Sequence, residues 1–158
     1  MWPSLAIFLV VLVVFPLFWS SIVVLIAQAG WATIAKHHAC TSRPPGTTYP
    51  RCSAYINSRT RYKRCLSVTL GNQGIYIEPV IFFRVAHPPL LIPFSCVTGL
   101  APGEPAFGNT IRVDISAAGH DIKLYVPVEC RPFLDLHKYP WKPVFATQNH
   151  IGVEGVLN

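Results

Sequence analysis

Residues 111–126 read IRVDISAAGHDIKLYV. Ile111, Val113 and Ile115 alternate with Arg112, Asp114 and Ser116; after Ala117-Ala118-Gly119-His120-Asp121, Ile122, Leu124 and Val126 alternate with Lys123, Tyr125 and Pro127. Successive side chains leave a pleated backbone on opposite sides, so a period of two marks a strand with one buried face. Two such runs joined by a Gly-containing turn predict an antiparallel hairpin.

The same pattern recurs upstream. Leu66, Val68 and Leu70 alternate with Ser67 and Thr69, Gly71-Asn72-Gln73-Gly74 supplies residues tolerant of positive φ, and Ile75 and Ile77 alternate with Tyr76 and Glu78. The stretch from Val80 to Val85 is apolar on both faces except at Arg84, which predicts a further strand, and His87-Pro88-Pro89 closes it before Leu90-Leu91-Ile92. Six strands follow. No helical stripe of ten or more residues lies between them, so crossovers of the βαβ type are not expected and the sheet should be antiparallel. The fold class is mainly β, a small antiparallel sheet or partial barrel. Its expected core is Leu66, Val68, Leu70, Ile75, Ile77, Ile92, Ile111, Val113, Ile115, Ile122, Leu124 and Val126.

Ahead of this sheet stands LAIFLVVLVVFPLFWSSIVVLIA, residues Leu5 to Ala27, 23 residues without an ionisable side chain. At 1.5 Å per residue it makes a helix roughly 34 Å long, against a bilayer hydrocarbon core of about 30 Å. Seventeen of the residues from Leu5 to Ile26 are Leu, Ile, Val or Phe. Each favours insertion by about 0.3 to 0.6 kcal/mol, which together outweighs Pro16, Ser20 and Ser21. One transmembrane helix is expected, kinked near Pro16, with Trp2 and Trp31 flanking it. A signal peptide cleaved after Ala27-Gln28-Ala29 is the alternative, which would release a secreted domain. No Lys or Arg precedes the apolar run, and that run exceeds the roughly 7 to 15 residues of a signal's apolar region.

The net charge of +6 is lopsided. From Lys36 to Ile77 there are seven Lys or Arg and no Asp or Glu; from Glu78 to Asn158 there are six basic and seven acidic residues. A basic collar beside a span resists translocation, so the domain is expected in the cytoplasm and the amino terminus outside. Five cysteines, Cys40, Cys52, Cys65, Cys96 and Cys130, cannot all pair within one chain. Free thiols agree with that orientation; a periplasmic domain would favour a Cys40 to Cys52 bridge.

The chain therefore divides into a transmembrane anchor (1–28), a juxtamembrane helix and linker (29–50) and a small β domain (51–158). Trp31, Ile34 and Ala35 share one side of a short helical continuation, read as interfacial, and Pro44-Pro45-Gly46 breaks regular structure after it. In the tail, Pro132, Pro140 and Pro143 forbid a long helix, and residues from Thr147 onward are weakly patterned.

Two stretches, Ala29-Gly30-Trp31-Ala32-Thr33-Ile34-Ala35 and His87-Pro88-Pro89-Leu90-Leu91-Ile92-Pro93-Phe94, resemble a family of small uncharacterised bacterial single-pass membrane proteins. The order of Leu66 to Leu70, Gly74 to Ile77 and Leu90 to Val97 is similar to the front half of a pleckstrin-homology or GRAM-like barrel. The resemblance implies a membrane location and a PH-like sheet, and it implies no reaction.

Six histidines raise the question of a metal, but they lack the i, i+4 or Cys-x-x-Cys spacings at which ligands converge. His87 and His120 read as exposed turn residues, and no metal or cofactor is expected. No Gly-x-Ser-x-Gly elbow or Gly-rich phosphate loop is present. Glu78 and Glu129, at strand ends among apolar neighbours, are the carboxylates on which a membrane-bound enzyme would have to rely; the alternative is that they are solvated strand-edge carboxylates or partners for Arg84 or Arg131. The concentrated signal is Arg59-Thr60-Arg61-Tyr62-Lys63-Arg64. Beside a membrane anchor, anionic lipid headgroups are the nearest polyanion, so Arg59, Arg61, Lys63 and Arg64 are the candidate contact residues. A membrane protein is the next candidate partner and nucleic acid the least favoured. On a strand, Arg59, Arg61 and Lys63 would share one face. The expectation is a non-catalytic module at the membrane.

Overall fold

The computed structural model describes residues 2 to 136. Helix α1, Trp2–Gln28, runs through Pro16 without interruption. Its large apolar residues from Ile7 to Phe18 are each 52% to 65% exposed. A helix that is apolar all round and left uncovered by its own chain is long and apolar enough to cross a membrane. Its last turns differ, because Val23 and Ala27 are buried. At Gly30 the backbone takes φ +147°, and a Cβ there would stand 2.6 Å from Ile56 Cγ2. That turn starts α2, Trp31–His38, as a separate helix. Trp31 and Ile34 do share a face, as the sequence predicts, but the face is buried in the domain core instead of lying at the interface.

Seven antiparallel strands form a half-barrel, in the order β4-β3-β2-β1-β7-β6-β5. They are β1 Thr47–Ile56, β2 Thr60–Gly71, β3 Gly74–Pro79, β4 Leu90–Ile92, β5 Val97–Pro102, β6 Thr110–Ala117 and β7 His120–Pro127. A short helix, α3 Arg131–Leu136, follows. The expected tail pattern around Pro140, Pro143 and Thr147 lies outside the described residues. The two edge strands, β4 and β5, are consecutive in the chain and joined only by residues 93–96. So short a link spans at most about 17 Å, and the sheet must curl until its edges approach.

Both predicted hairpins are present, with the predicted turns. Leu70 faces Ile75 and Val68 faces Ile77, with Asn72-Gln73 at the turn; Ile115 faces Ile122 and Val113 faces Leu124, with Ala118 and Gly119 at φ +51° and +76°. Positive φ at both turn residues matches the twist of the flanking strands. All twelve expected core residues lie in one cluster, none more than 6% exposed.

The six-strand expectation is corrected in two ways. Strands β1 and β5 are additional, β1 starting at Thr47 inside the stretch read as linker. Residues Val80 to Val85 are not a strand; they form a loop around a single 3-10 turn, Ile81–Phe83. The solvated face expected of β2 is also partly closed, because Thr69 is 1% exposed and β3 is buried along its whole length. Thr69 pairs with Tyr76 on β3, and its hydroxyl lies 2.8 Å from that of Thr48 on β1.

The five cysteines are free thiols. Cys52 and Cys130 are buried, and burial first, with Cys130 near Cys52 and Glu129 near Cys130, pushes both thiols up to about 12. Protonated at neutral pH, they pack as small hydrophobes.

Candidate functional site

Three groups of residues gather where α1 meets the sheet. The first is the basic turn. Asn57 and Ser58 take positive φ, and Arg59 lies in the turn that joins β1 to β2, so the strand begins one residue later than the alternation assumes. Arg61 and Lys63 are exposed on either side of buried Tyr62 and share the outer face. Arg64 sits at a bulge with φ +53°, where its backbone N–H donates to Ser53 Oγ at 2.9 Å. The bulge absorbs two extra residues of β2 between the Ala54–Tyr62 and Cys52–Leu66 pairs, which shifts Arg64 out of strict alternation. All four basic side chains are exposed, and none forms an ion pair among the described residues. Arg59, Thr60 and Arg61 line a groove whose other wall is Ile22, Leu25 and Ile26 of α1 and Ala29 just after it. The Arg61 guanidinium also lies 5.3 Å and 5.2 Å from the ring centroids of Tyr55 and Phe107, which orients it without neutralising it.

The second group is an aromatic box around His87, a residue the sequence places in an exposed turn. His87 is instead 0% exposed. Its ring centroid is 5.3 Å from that of Trp31, 5.5 Å from Tyr62 and 6.3 Å from Phe83. Tyr62 Oη and His87 Nε2 share a hydrogen bond of 2.9 Å, and Trp31 Nε1 donates to the Pro88 carbonyl at 2.9 Å. The box therefore ties α2, β2 and the β3–β4 loop together. Burial holds the His87 pKa below its ordinary 6.5, against a smaller upward pull from the Phe83 backbone.

Because the folded pKa lies below the unfolded one, the unfolded chain binds more protons in between. The stability that neutral His87 contributes is thus complete above about pH 6.5 and is lost as pH falls through the lower folded value. The thermal midpoint of the full chain in detergent should fall on acidification through that range, with a slope of no more than about 1.4 kcal/mol per pH unit from this group. His87→Gln, which keeps a hydrogen-bonding partner for Tyr62, should flatten that part of the profile. Parallel profiles for the two proteins would remove His87 as the titrating group.

The third group is ionic. Glu78 on β3 is 9% exposed and accepts hydrogen bonds from Arg43 through one carboxylate oxygen and from Arg84 through the other. Tyr76 lies in the same cluster, its phenol pKa raised first by burial and then by Glu78. The cluster clamps the stretch before β1 and the loop after β3 to the sheet.

The sheet does not bring the two candidate carboxylates together. Glu129, exposed, follows β7, and β2 and β1 lie between that strand and the β3 of Glu78. Of the two arginines named as partners for these carboxylates, Arg84 pairs with Glu78, whereas Arg131 pairs with Asp135 at 3.7 Å. Among the described residues no cluster of three or more His, Cys, Asp or Glu is arranged to hold a metal. What this end of the domain offers chemically is a row of unpaired guanidinium and ammonium groups beside an apolar helix. Comparison of the chain with protein-family models, curated proteins and solved structures returned no match.

Proposed function

We propose that the protein is a single-pass, membrane-tethered module without catalytic activity, whose domain lies in the cytoplasm and contacts anionic lipid headgroups through Arg59, Arg61, Lys63 and Arg64. The carrying observation is the groove in which Arg59 and Arg61 face Ile22, Leu25, Ile26 and Ala29. If α1 spans a bilayer, the end of the span and the basic turn lie at the same level, where headgroup phosphates are. Retention of α1 is supported by Val23 and Ala27, which the domain buries. The non-catalytic reading is supported by Glu78, whose two oxygens are taken up by Arg43 and Arg84.

Each basic residue near an anionic surface contributes about 1 kcal/mol, so four give at most roughly 4 kcal/mol. That is enough to orient a tethered domain and too little to hold it alone. With the full chain in nanodiscs, amide hydrogen exchange across residues 57–64 should slow when phosphatidylglycerol is added to phosphatidylcholine. The protection should fade between 0.1 M and 1 M salt, as the Debye length contracts from about 10 Å to about 3 Å. Changing all four residues to Gln should abolish it. Identical exchange in the two lipid mixtures would leave the basic residues as a topology signal only, and alkaline-phosphatase activity of a fusion after Asn158 would overturn the orientation.

A further inference from the structure

The loop from Val80 to Val85 presents its apolar side chains outward. Val80 is 41% exposed, Ile81 68%, Phe82 72% and Val85 62%, values otherwise typical of the bare part of α1. It lies against that helix. Trp19 Nε1 donates to the Phe82 carbonyl at 3.2 Å, and the Trp19 and Phe83 ring centroids are 6.0 Å apart. Trp19 precedes Ile22 and Ile26, the first and last α1 residues that line the basic groove, by three and seven residues. At 1.5 Å per residue the loop therefore reaches roughly 5 to 10 Å further along the helix, toward the middle of the proposed span, than the basic turn does.

We infer that this loop inserts into the bilayer beside α1, as a second membrane contact in the same leaflet, with the acyl chains of the lipid as its occupant. The inference rests on the reading of α1 as a membrane span and goes beyond headgroup contact. Three features of the loop suit hydrocarbon. Its apolar surface is continuous with that of α1 through Trp19. Its backbone is partly paired: the N–H groups of Phe83, Arg84 and His87 donate to the carbonyls of Val80, Ile81 and Arg84, the Val80 N–H donates to Cys65, and the Phe82 carbonyl takes the Trp19 indole. Lipid offers no hydrogen bonds, so each of these pairings lowers the cost of entering it. Its one charged residue, Arg84, turns its guanidinium back to Glu78 and away from the apolar tip.

The full chain, one copy per nanodisc, tests this with an environment-sensitive fluorophore on single introduced cysteines. Cys40, Cys65 and Cys96 are first changed to Ser, leaving the buried Cys52 and Cys130. Phe82→Cys and Ile81→Cys report the loop; both side chains are exposed, so neither change disturbs packing. Val10→Cys reports the span, and Gln73→Cys, exposed at the far β2–β3 turn, reports solvent. The expected result is that both loop positions behave like Val10, strongly quenched by lipids with a doxyl group on the acyl chain and several-fold less quenched by iodide than Gln73. Loop positions open to iodide while Val10 is lipid-quenched would overturn the inference and leave the span intact. Loop positions shielded from iodide yet blind to doxyl lipid would also overturn it, placing the loop against the protein's own chain instead of acyl chains. Iodide access at Val10 would overturn the span reading, and the inference with it.

Discussion

Val68→Asp is expected to leave the half-barrel unfolded while α1 stays helical. Val68 is 0% exposed and stands between Tyr49 on β1 and Ile77 on β3, in the middle of the core cluster. A carboxylate there has no partner, and an uncompensated buried charge costs about 3 to 5 kcal/mol. That approaches the whole stability of a small domain, about 5 to 15 kcal/mol. In detergent micelles the near-ultraviolet circular dichroism of the aromatic cluster should be lost while the far-ultraviolet helical signal of α1 remains. The neighbouring substitution shows how the structure changes the expectation. Alternation alone would make Thr69→Asp harmless, but Thr69 is 1% exposed and hydrogen-bonded to Thr48, so it too should lose stability, by at least about 1 to 3 kcal/mol for the stranded Thr48 hydroxyl. A native signal from Val68→Asp would be incompatible with the core described.

Trp31→Ala is the second large effect. The indole is 2% exposed, packs 5.2 Å from the Tyr62 ring and 5.3 Å from His87, and holds the Pro88 carbonyl. Truncating a buried Trp to Ala costs about 3 to 5 kcal/mol, part of it for the cavity left behind. Trp31→Phe keeps most of the packing and loses the hydrogen bond, which should cost about 1 kcal/mol. The thermal midpoints should rank wild type, Phe, Ala. In the Ala variant, hydrogen exchange should accelerate first in α2 and in residues 84–90, the segments that the indole joins. Uniform acceleration across the sheet would show that Trp31 supports the core in general and does not latch this loop.

The β2–β3 and β6–β7 hairpins were legible because apolar residues alternate along their strands and their turns hold residues that accept positive φ, although the second face of β3 is buried as well. β1 was hidden by its own irregularity. Pro50 interrupts it, Arg51 takes φ +58°, and two register shifts between Tyr49 and Ala54 break the period of two. In β5 a register shift between Val97 and Gly99 does the same. Val80 to Val85 was misread for a different reason: apolar residues on both faces describe a buried strand and an exposed apolar loop equally well, and the sequence does not show that the segment lies beside Trp19. His87 was misread because His-Pro-Pro signals a turn locally, while its burial is imposed by Trp31, 56 residues earlier in the chain. Of the basic residues, the outward facing of Arg61 and Lys63 was legible. The displacement of Arg64 was not, since a bulge depends on the partner strand as well as its own.

The place of β1 in the sheet also sets the order in which the chain can assemble. One side of β1 pairs with β2, its immediate successor, but the other pairs with β7, and Ser53 meets Tyr125 across 72 residues of chain (125 minus 53). Pairing over so long a separation is slow, because loop closure must precede any reward from the contact. During synthesis α1 emerges before the sheet and β7 after the six other strands, so the four-stranded piece β1 to β4 exists for a time with the inner edge of β1 bare. An uncovered edge is a template for foreign strands. If α1 is captured early by a membrane, as proposed, nascent copies are confined to a surface during that interval, and the helix acts as a folding aid before it acts as a tether.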